Sequence, residues 1–530
     1  MKIRQAKWLV ALVLVAVFAA SCGPAGPTVD TSTLTIGIAS DPVSLDIHKT
    51  SWADIVHGLM YDTLVVLDAD NLTYKPWLAE EYSVSEDGTE ITFKLREDVT
   101  FHDGTPFNAA AVKYTYDRFN DPEMAAPGAS AIGPLDEVVV VDEYTVKLVY
   151  SEPYAIAFFV LGGSYFGFVS EQAVNELGED FGREPVSTGP YMIDELNPGD
   201  SVVYKRNPDY KWPNHLVENE GAALFERVVF KIIPDETTRV LALEEGTIDL
   251  MGVPSAHAAR VEENEDLTVY KEMSNTVTYL GFNHKKAPWN DQRIRQAVAH
   301  AINKDDIVEF AMEGMAEPAY NLMPPIMWGY WEGASEHIYS HEPDKVKPLL
   351  AEAGYDVVDD EGFVTKDGER LTLEITTYSD PEYVRVTENV LTQLRDAGID
   401  AKMRSLERST LLASTPEGEH DAILILYGYL DPDIFYYFFH SSRLPTTNRC
   451  HFVDPEIDAL LEEGRTTMDP DARFEVYKEV QTRLAQDGVW VPLFSSYSVT
   501  AVRNEVKDFK LHPATKAWLL HDAYKEAPGN

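Results

Sequence analysis

Cysteine is scarce in this sequence: only Cys22 and Cys450 occur among its 530 residues. We expect the segment before Cys22 to be removed on export and the Cys22 thiol to be lipidated, which leaves Cys450 without an intramolecular disulfide partner. The fold must then rest on hydrophobic cores rather than on covalent cross-links. A chain of this length exceeds what one core organises, so two or three domains are expected.

Long apolar runs are also missing. The run at residues 8–20 falls short of the roughly 20 residues that a membrane-spanning helix needs. It follows three basic residues and precedes small residues, an order typical of an export signal. The segment "FAASC" is similar to a bacterial lipoprotein cleavage box. This pattern predicts a signal peptide over residues 1–21, lipidation of Cys22 and a short flexible tether over residues 22–33.

Basic residues are few relative to acidic ones. The chain has 44 Lys and Arg against 88 Asp and Glu, a net charge of −44. Such a surface repels phosphate backbones and anionic lipid headgroups, so we expect no nucleic-acid partner. The acids are spread along the chain, which favours solubility over attraction of a cationic ligand as their role.

Sequence motifs for catalysis are absent. There is no G-x-S-x-G, no H-E-x-x-H and no P-loop. The 14 histidines lack a spacing that would place two on one helix face for a metal ion. We therefore expect no enzyme, no metal site and no cofactor. A hydrolase stays as a remote alternative, since glycosidase carboxylates need not be close in sequence.

Hydrophobic periodicity predicts a mixed α/β fold. Leu34, Ile36 and Ile38 alternate as in a half-buried strand. Residues 371–406 read as strand, helix and strand, which implies a parallel pair of strands. Near the C-terminus, two amphipathic helices precede two expected strands, "VWVPLF" and "SVTAVRN".

Several segments carry a family resemblance when taken together. They are "DPVSLDIHKT", "GLMYDTLVVLDADNLTYKPWLAEEYSVSEDGTEITFKLREDVTFHDGTPFNAAAVKYTYDR", "STGPYMIDELNPGDSVVYKRNPDYKW" and "LGFNHKKAPWNDQRIRQAVAHAINKDDIV". With these motifs the chain resembles the family 5 extracytoplasmic solute-binding proteins of ABC importers, over residues 34–509. That family includes oligopeptide-, dipeptide- and nickel-binding proteins.

The resemblance implies a two-lobed, class II periplasmic-binding-protein-like fold with an additional inserted domain. Domain I would comprise residues 34–58, 186–280 and 496–530, domain II residues 59–185, and domain III residues 281–495. A small-molecule ligand would be enclosed between the lobes by a hinge motion, and the loaded form would dock on the permease subunits in the membrane. We expect an extracytoplasmic monomer, periplasmic or anchored to the membrane through Cys22.

The aromatic stretch "LYGYLDPDIFYYFF" helps to predict the class of ligand. In peptide-binding relatives the matching region lines the cleft, and an Asp three residues before the "DP" step takes the ligand ammonium. Gly428 stands at that position here. Aromatic rings with hydroxyls also suit sugars. Tyr427 and Tyr429 either line the cleft or pack in the core, whereas residues 436–439 are expected in the core.

Candidate ligand contacts follow from the resemblance and from the aromatic segments. They are Thr50, Trp52, Asn283, Trp328, Tyr427, Gly428, Tyr429 and Asp431. A peptide is the first expectation for the ligand, because another acid can replace the missing one in so acidic a chain. An oligosaccharide is second, and nickel or a metal chelate is third.

Overall fold

The computed structural model describes residues 30–42, 44–50, 55–70 and 73–527. In chain order its strands are β1 (Thr33–Ile38), β2 (Val65–Leu67), β3 (Tyr74–Pro76), β4 (Ala79–Val84), β5 (Glu90–Leu95), β6 (Leu135–Asp142), β7 (Thr145–Tyr150), β8 (Tyr191–Asn197), β9 (Ser201–Arg206), β10 (Arg227–Ile232), β11 (Leu250–Val253), β12 (Leu267–Met273), β13 (Thr276–Phe282), β14 (Ala316–Pro318), β15 (Val357–Val358), β16 (Val364–Lys366), β17 (Glu369–Arg370), β18 (Thr372–Tyr378), β19 (Asp400–Leu406), β20 (Ala422–Gly428), β21 (Trp490–Arg503), β22 (Val506–Lys507), β23 (Lys510–Leu511), β24 (Trp518–Leu519) and β25 (Tyr524–Lys525).

The α-helices are α1 (Ile55–Gly58), α2 (Ala109–Asn120), α3 (Ala157–Leu161), α4 (Glu171–Leu177), α5 (Glu236–Glu244), α6 (Ala258–Glu262), α7 (Gln292–Ala301), α8 (Lys304–Asp306), α9 (Pro343–Glu352), α10 (Pro381–Asp396), α11 (Arg408–Ser414), α12 (Ile434–Phe439), α13 (Pro455–Thr466) and α14 (Pro470–Asp487). Side-chain caps begin several of them: Asn108 accepts from the Ala111 amide at α2, and Asp469 accepts from the Ala472 amide at α14. None of the helices in the described ranges combines the length and the apolar character that crossing a membrane requires.

The largest sheet is mixed and has the strand order β19-β18-β20-β13-β21-β11-β1-β10-β9-β8, with β12 and β14 pairing at β21. β18 runs parallel to both β19 and β20, and helix α10 connects β18 to β19. The predicted strand–helix–strand unit and the mixed α/β class are thereby confirmed. A separate antiparallel sheet, β4-β5-β7-β6, comes from the first third of the chain.

β21 is one strand of 14 residues, so the prediction of two strands in this region was wrong. Its first half pairs with β13 and β14, and its second half pairs with β11 and β12. The intervening residues 495–498 contain neither Gly nor Pro, so nothing interrupts the extended backbone. The expected boundary between domains III and I, at residues 495 and 496, lies inside this strand; the division into domains stays a prediction.

The buried apolar side chains gather in several separate cores. One lies around β13, β18 and β20 and includes Trp289 and Trp490. A second lies around β5, β7 and α2, and a third around β1, β9 and β10. Because each core is enclosed by its own elements, the space between them is available for a cavity.

Candidate ligand-binding cleft

A cavity of about 920 Å³ lies between the second and third cores and the end of β20, which belongs to the first core. Its described wall comes from residues in the ranges 55–77, 127–166, 190–217 and 512–521, with Asn275 and residues 428–430 on the remaining side. Ligand pockets usually measure roughly 300 to 1,000 Å³. The volume therefore suits an oligomeric or similarly large solute better than a single ion.

Aromatic side chains are numerous in this wall. The rings are those of Tyr74, Trp77, Phe159, Tyr165, Phe166, Tyr191, Tyr210, Tyr429 and Trp518. Such side chains offer a flat apolar face and, for Tyr and Trp, a polar group at the edge. The cavity can thus stack on a ligand and hydrogen-bond its periphery.

Charge is sparse in the cavity. Among the described residues of its wall, only Asp62 and Lys516 belong to the Asp, Glu, Lys and Arg class. The Lys516 ammonium lies 3.0 Å from a Glu272 carboxylate oxygen, so it already has a counter-charge. The two wall histidines, His512 and His521, contact backbone carbonyls through Nε2, and burial lowers the pKa of both.

Asp62 is fully buried beneath the cavity. Its carboxylate accepts hydrogen bonds from Trp212 Nε1 at 3.0 Å and from the Tyr210 hydroxyl at 3.4 Å. Burial raises the pKa of Asp62 to about 7, although these hydrogen bonds act in the opposite direction. Near neutral pH the cavity therefore presents little net charge.

The chain enters this wall at Gly189-Pro190, just after the expected return from domain II to domain I at residue 186. The Gly189 amide donates to the Met60 carbonyl at 2.8 Å. A Cβ at residue 189 would lie 2.4 Å from both the carbonyl carbon and the carbonyl oxygen of Met60. Only glycine permits this close approach of two backbones, and Pro190 then lines the cavity.

Of the candidate ligand contacts, the structure places Gly428 and Tyr429 in the cavity wall. The Tyr429 ring packs on the Phe159 ring at a centroid distance of 4.8 Å. This contact closes one side of the cavity by joining residues from opposite walls. The ligand contacts themselves stay a prediction for both residues.

Tyr427 and Asp431 occupy structural positions instead. Tyr427 is buried, donates from its hydroxyl to the Leu322 carbonyl, and packs 5.5 Å from the Trp490 ring. Asp431 is buried and forms a bidentate ion pair with Arg473, at 2.8 and 2.6 Å. Neither is found among the described residues of the cavity wall, because these partners hold their side chains in the core.

The remaining candidates lie away from the described cavity wall. Asn283 is fully buried, and its amide donates to the carbonyls of Gly418 and His420. Trp328 is half-buried. The central guanidinium carbon of Arg473 lies 4.8 Å from the centroid of the Trp328 ring. Thr50 is buried, and Trp52 lies outside the described residues.

The aromatic residues after the "DP" step form helix α12. Phe439 is fully buried in the core, as expected, whereas Tyr436, Tyr437 and Phe438 are half-buried. The Tyr437 ring lies 6.5 Å from the Tyr429 ring, which connects this helix to the cavity wall. The prediction of a core position is thus confirmed for Phe439 and only in part for its neighbours.

Sequence reasoning missed most of the wall. Phe159, Tyr165 and Trp518 line the cavity although no motif singles them out. Residues 158–167, "FFVLGGSYFG", are rich in both aromatic and glycine residues, and that composition was the available signal. Trp518 lies near the C-terminus and has no comparable local pattern.

Comparison with known proteins agrees with this architecture. Residues 73–445 match the model of the bacterial extracellular solute-binding proteins, family 5 Middle. The glutathione-binding protein GsiB of Salmonella typhi is 28% identical over 522 residues, which cover 96% of this chain and 97% of that protein.

Solved structures of similar proteins share this fold. NikA from Brucella suis in complex with Fe(III)-EDTA has a TM-score of 0.83 and 26% identity, covering 93% of this chain and 100% of that one. The ABC transporter-associated periplasmic binding protein DppA from Helicobacter pylori, in complex with the peptide STSA, has a TM-score of 0.77 and 27% identity, covering 93% and 98%. The fold is therefore that of the two-lobed periplasmic binding proteins. The chain belongs to family 5 of the bacterial extracellular solute-binding proteins, the substrate-binding components of ABC importers.

Proposed function

We propose that this protein captures a peptide-class solute in the cavity and delivers it to the membrane permease of an ABC importer. The observation that carries the proposal is the aromatic cavity of about 920 Å³, which is bounded by residues from distant parts of the chain. Similar proteins are named for glutathione binding or solved with a peptide, which supports this class of solute.

An oligosaccharide is the second candidate. Two observations favour it: the wall is rich in rings with hydroxyls, and Gly428 offers no carboxylate for a peptide ammonium. An ammonium taken out of water without a partner costs several kcal/mol. Nickel or a metal chelate ranks third, because the described residues contain no group of three or more His, Cys, Asp and Glu that could hold a bare metal ion.

The cellular setting follows from the family and the N-terminal sequence. Members of the family are extracytoplasmic. We expect cleavage after residue 21, lipidation of Cys22, and a monomer that catalyses no reaction; Cys22 lies outside the described residues.

The test begins with the full mature chain, purified without residues 1–22 and analysed by native mass spectrometry for a co-purified solute. Isothermal titration calorimetry with glutathione, tetra-alanine and maltotetraose then ranks the solute classes. Binding of a peptide with a Kd at least tenfold below that of the sugar supports the proposal. Tighter binding of maltotetraose supports the second candidate. If none of the three solutes binds, both candidates are overturned.

A further inference from the structure

Two arginines near the C-terminal end of helix α12 stand out because they lack acidic partners. Among the described arginines that are half-buried or buried, only Arg443 and Arg449 make neither an ion pair nor a side-chain hydrogen bond. Acidic residues outnumber basic ones 88 to 44 in this chain. Two unpaired cations on one loop therefore indicate a role other than internal charge balance.

Both guanidinium groups stack on the aromatic side chains of α12. The central guanidinium carbon of Arg443 lies 4.8 Å from the Tyr437 ring centroid, and that of Arg449 lies 5.6 Å from the Phe438 ring centroid. Such stacking holds a planar guanidinium in place while its edge stays available to an acceptor. The two arginines and Tyr437 are called the arginine shelf below.

Hydrogen-bond donors on the arginine shelf are buried without acceptors. They are Nε of Arg443, Nε of Arg449 and the hydroxyl of Tyr437. Each buried donor left without a partner costs about 1 to 3 kcal/mol. An oxygen acceptor supplied from outside the protein would remove that cost.

The nearby acids are already matched to other arginines. Asp431 holds Arg473 through two hydrogen bonds, and Asp433 has an oxygen 3.0 Å from Nε of Arg465, although that contact lacks hydrogen-bond geometry. These two carboxylates and two guanidinium groups balance in charge. Arg443 also acts on Asp433 from a longer distance and opposes the rise in pKa that burial causes in that carboxyl, but neither Arg443 nor Arg449 has a carboxylate at ion-pair distance.

The shelf adjoins the cavity. Tyr437 contacts Tyr429, whose ring forms part of the cavity wall opposite Phe159. The only Lys or Arg among the described wall residues, Lys516, is paired with Glu272. Tyr429 thus links the arginine shelf to the cavity, whose described wall residues include no unpaired Lys or Arg.

We propose that Arg443, Arg449 and Tyr437 form a carboxylate-binding subsite beside the cavity, and that the transported solute carries a carboxylate. The inference rests on the proposed function, since it names the chemistry of the same ligand. Arg is the residue best suited to grip a carboxylate through two parallel hydrogen bonds. The carboxylate has two possible sources, a peptide C-terminus or a uronic acid of an oligosaccharide.

Calorimetry on the full mature chain tests the subsite with two matched pairs of probes. The peptide pair is tetra-alanine and its C-terminal amide, and the sugar pair is tetragalacturonate and maltotetraose. We expect the carboxylate member of one pair to bind about 10- to 100-fold more tightly than its neutral counterpart. The pair that shows the preference identifies the source.

The variant Arg443→Gln/Arg449→Gln should abolish that preference, and a cooperative thermal unfolding transition shows that the variant is folded. Arg183→Gln/Arg404→Gln, which removes two exposed positive charges, serves as the matched control. A wild-type protein that binds both members of each pair equally overturns the inference and leaves the proposed function in place. A preference for the carboxylate probe that persists in the double variant also overturns the inference and leaves the proposed function in place. Failure of all four probes to bind overturns both proposals.

Discussion

The ring of Tyr429 packs against the ring of Phe159 at a centroid distance of 4.8 Å and an interplanar angle of 56°. Phe159 belongs to α3, and Tyr429 follows β20. The backbone just before α3 makes a second contact, because the Ala155 amide donates to the carbonyl of Arg465 in α13 at 2.8 Å. Together these contacts hold the two walls of the cavity against each other.

A double-mutant cycle on Phe159→Ala and Tyr429→Ala should give a coupling energy of about 0.5 to 1.5 kcal/mol in the free energy of unfolding. Chemical denaturation of the four proteins supplies the measurement. The pair Tyr82 and Phe158, 4.6 Å apart, is the positive control. A coupling of zero for Phe159 and Tyr429 alone would mean that the walls are apart in solution.

Replacing Arg473 by Met should lower the free energy of unfolding by about 3 to 5 kcal/mol, because Asp431 would be left as an uncompensated buried charge. The side chains of the pair are only 6% and 10% exposed. Adding Asp431→Asn to that variant should restore part of the loss. For comparison, Lys113→Ala breaks the exposed pair with Asp117 and should cost less than about 1 kcal/mol. Equal losses in the two single variants would contradict the buried character of the pair.

The variant Asp62→Asn should gain stability relative to the wild type as the pH rises from 5 to 8. Burial raises the pKa of Asp62 to about 7 in the folded protein, from 3.8. Between these values the folded state keeps a proton that the unfolded state releases, so this stabilising effect is present at low pH and is lost as the pH rises through 7. From below the unfolded pKa to above the folded pKa the difference in the free energy of unfolding amounts to about 4 kcal/mol, of which about 3 kcal/mol falls between pH 5 and 8.

Thermal unfolding at several pH values measures this dependence. The exposed Asp360 provides the matched control, since Asp360→Asn should shift the melting temperature equally little at every pH. A difference between Asp62→Asn and the wild type that does not change with pH would show that Asp62 ionises normally in the folded protein.

Introducing a carboxylate by Gly428→Asp should strengthen binding of tetra-alanine about tenfold if the peptide ammonium lies against this wall. A Cβ at residue 428 would lie 3.0 Å from Thr276 Cγ2 and 3.5 Å from Asn275 Oδ1, so the Thr276 methyl group must move slightly. Calorimetry with N-acetylated tetra-alanine, which lacks the ammonium, should show no gain.

Gly428→Asn is the matched variant without charge. If it strengthens binding as much as Gly428→Asp, shape rather than charge is responsible. If neither variant binds tetra-alanine more tightly than the wild type does, the peptide amine does not lie at residue 428.

Much of the secondary structure could be predicted from local patterns. Alternation in "LTIGI" predicts β1, and the apolar spacing of Tyr383, Val386, Val390 and Leu394 predicts α10, because these elements bury one face and the sequence repeats with their period. The single strand β21 was missed, since residues 490–503 read equally well as two short strands, and only pairing with four neighbours makes them one.

The ligand cleft was harder to predict. Strand periodicity places Tyr427 and Tyr429 on the same face, yet Tyr427 packs in the core and Tyr429 reaches the cavity. β20 ends at Gly428, so the alternation stops between the two residues. Asp431 is likewise committed to Arg473, a partner that no local pattern relates to it.

By itself the sequence identified the mixed α/β class, the expectation of export and the family, because composition and contiguous motifs are local properties. The cavity is different: its wall joins Asp62, Phe159, Tyr429 and Trp518, which are far apart along the chain. Which aromatic rings face that space, and which arginines remain without an acidic partner, depends on packing between distant segments. That packing is set by contacts that form only when the whole chain is folded.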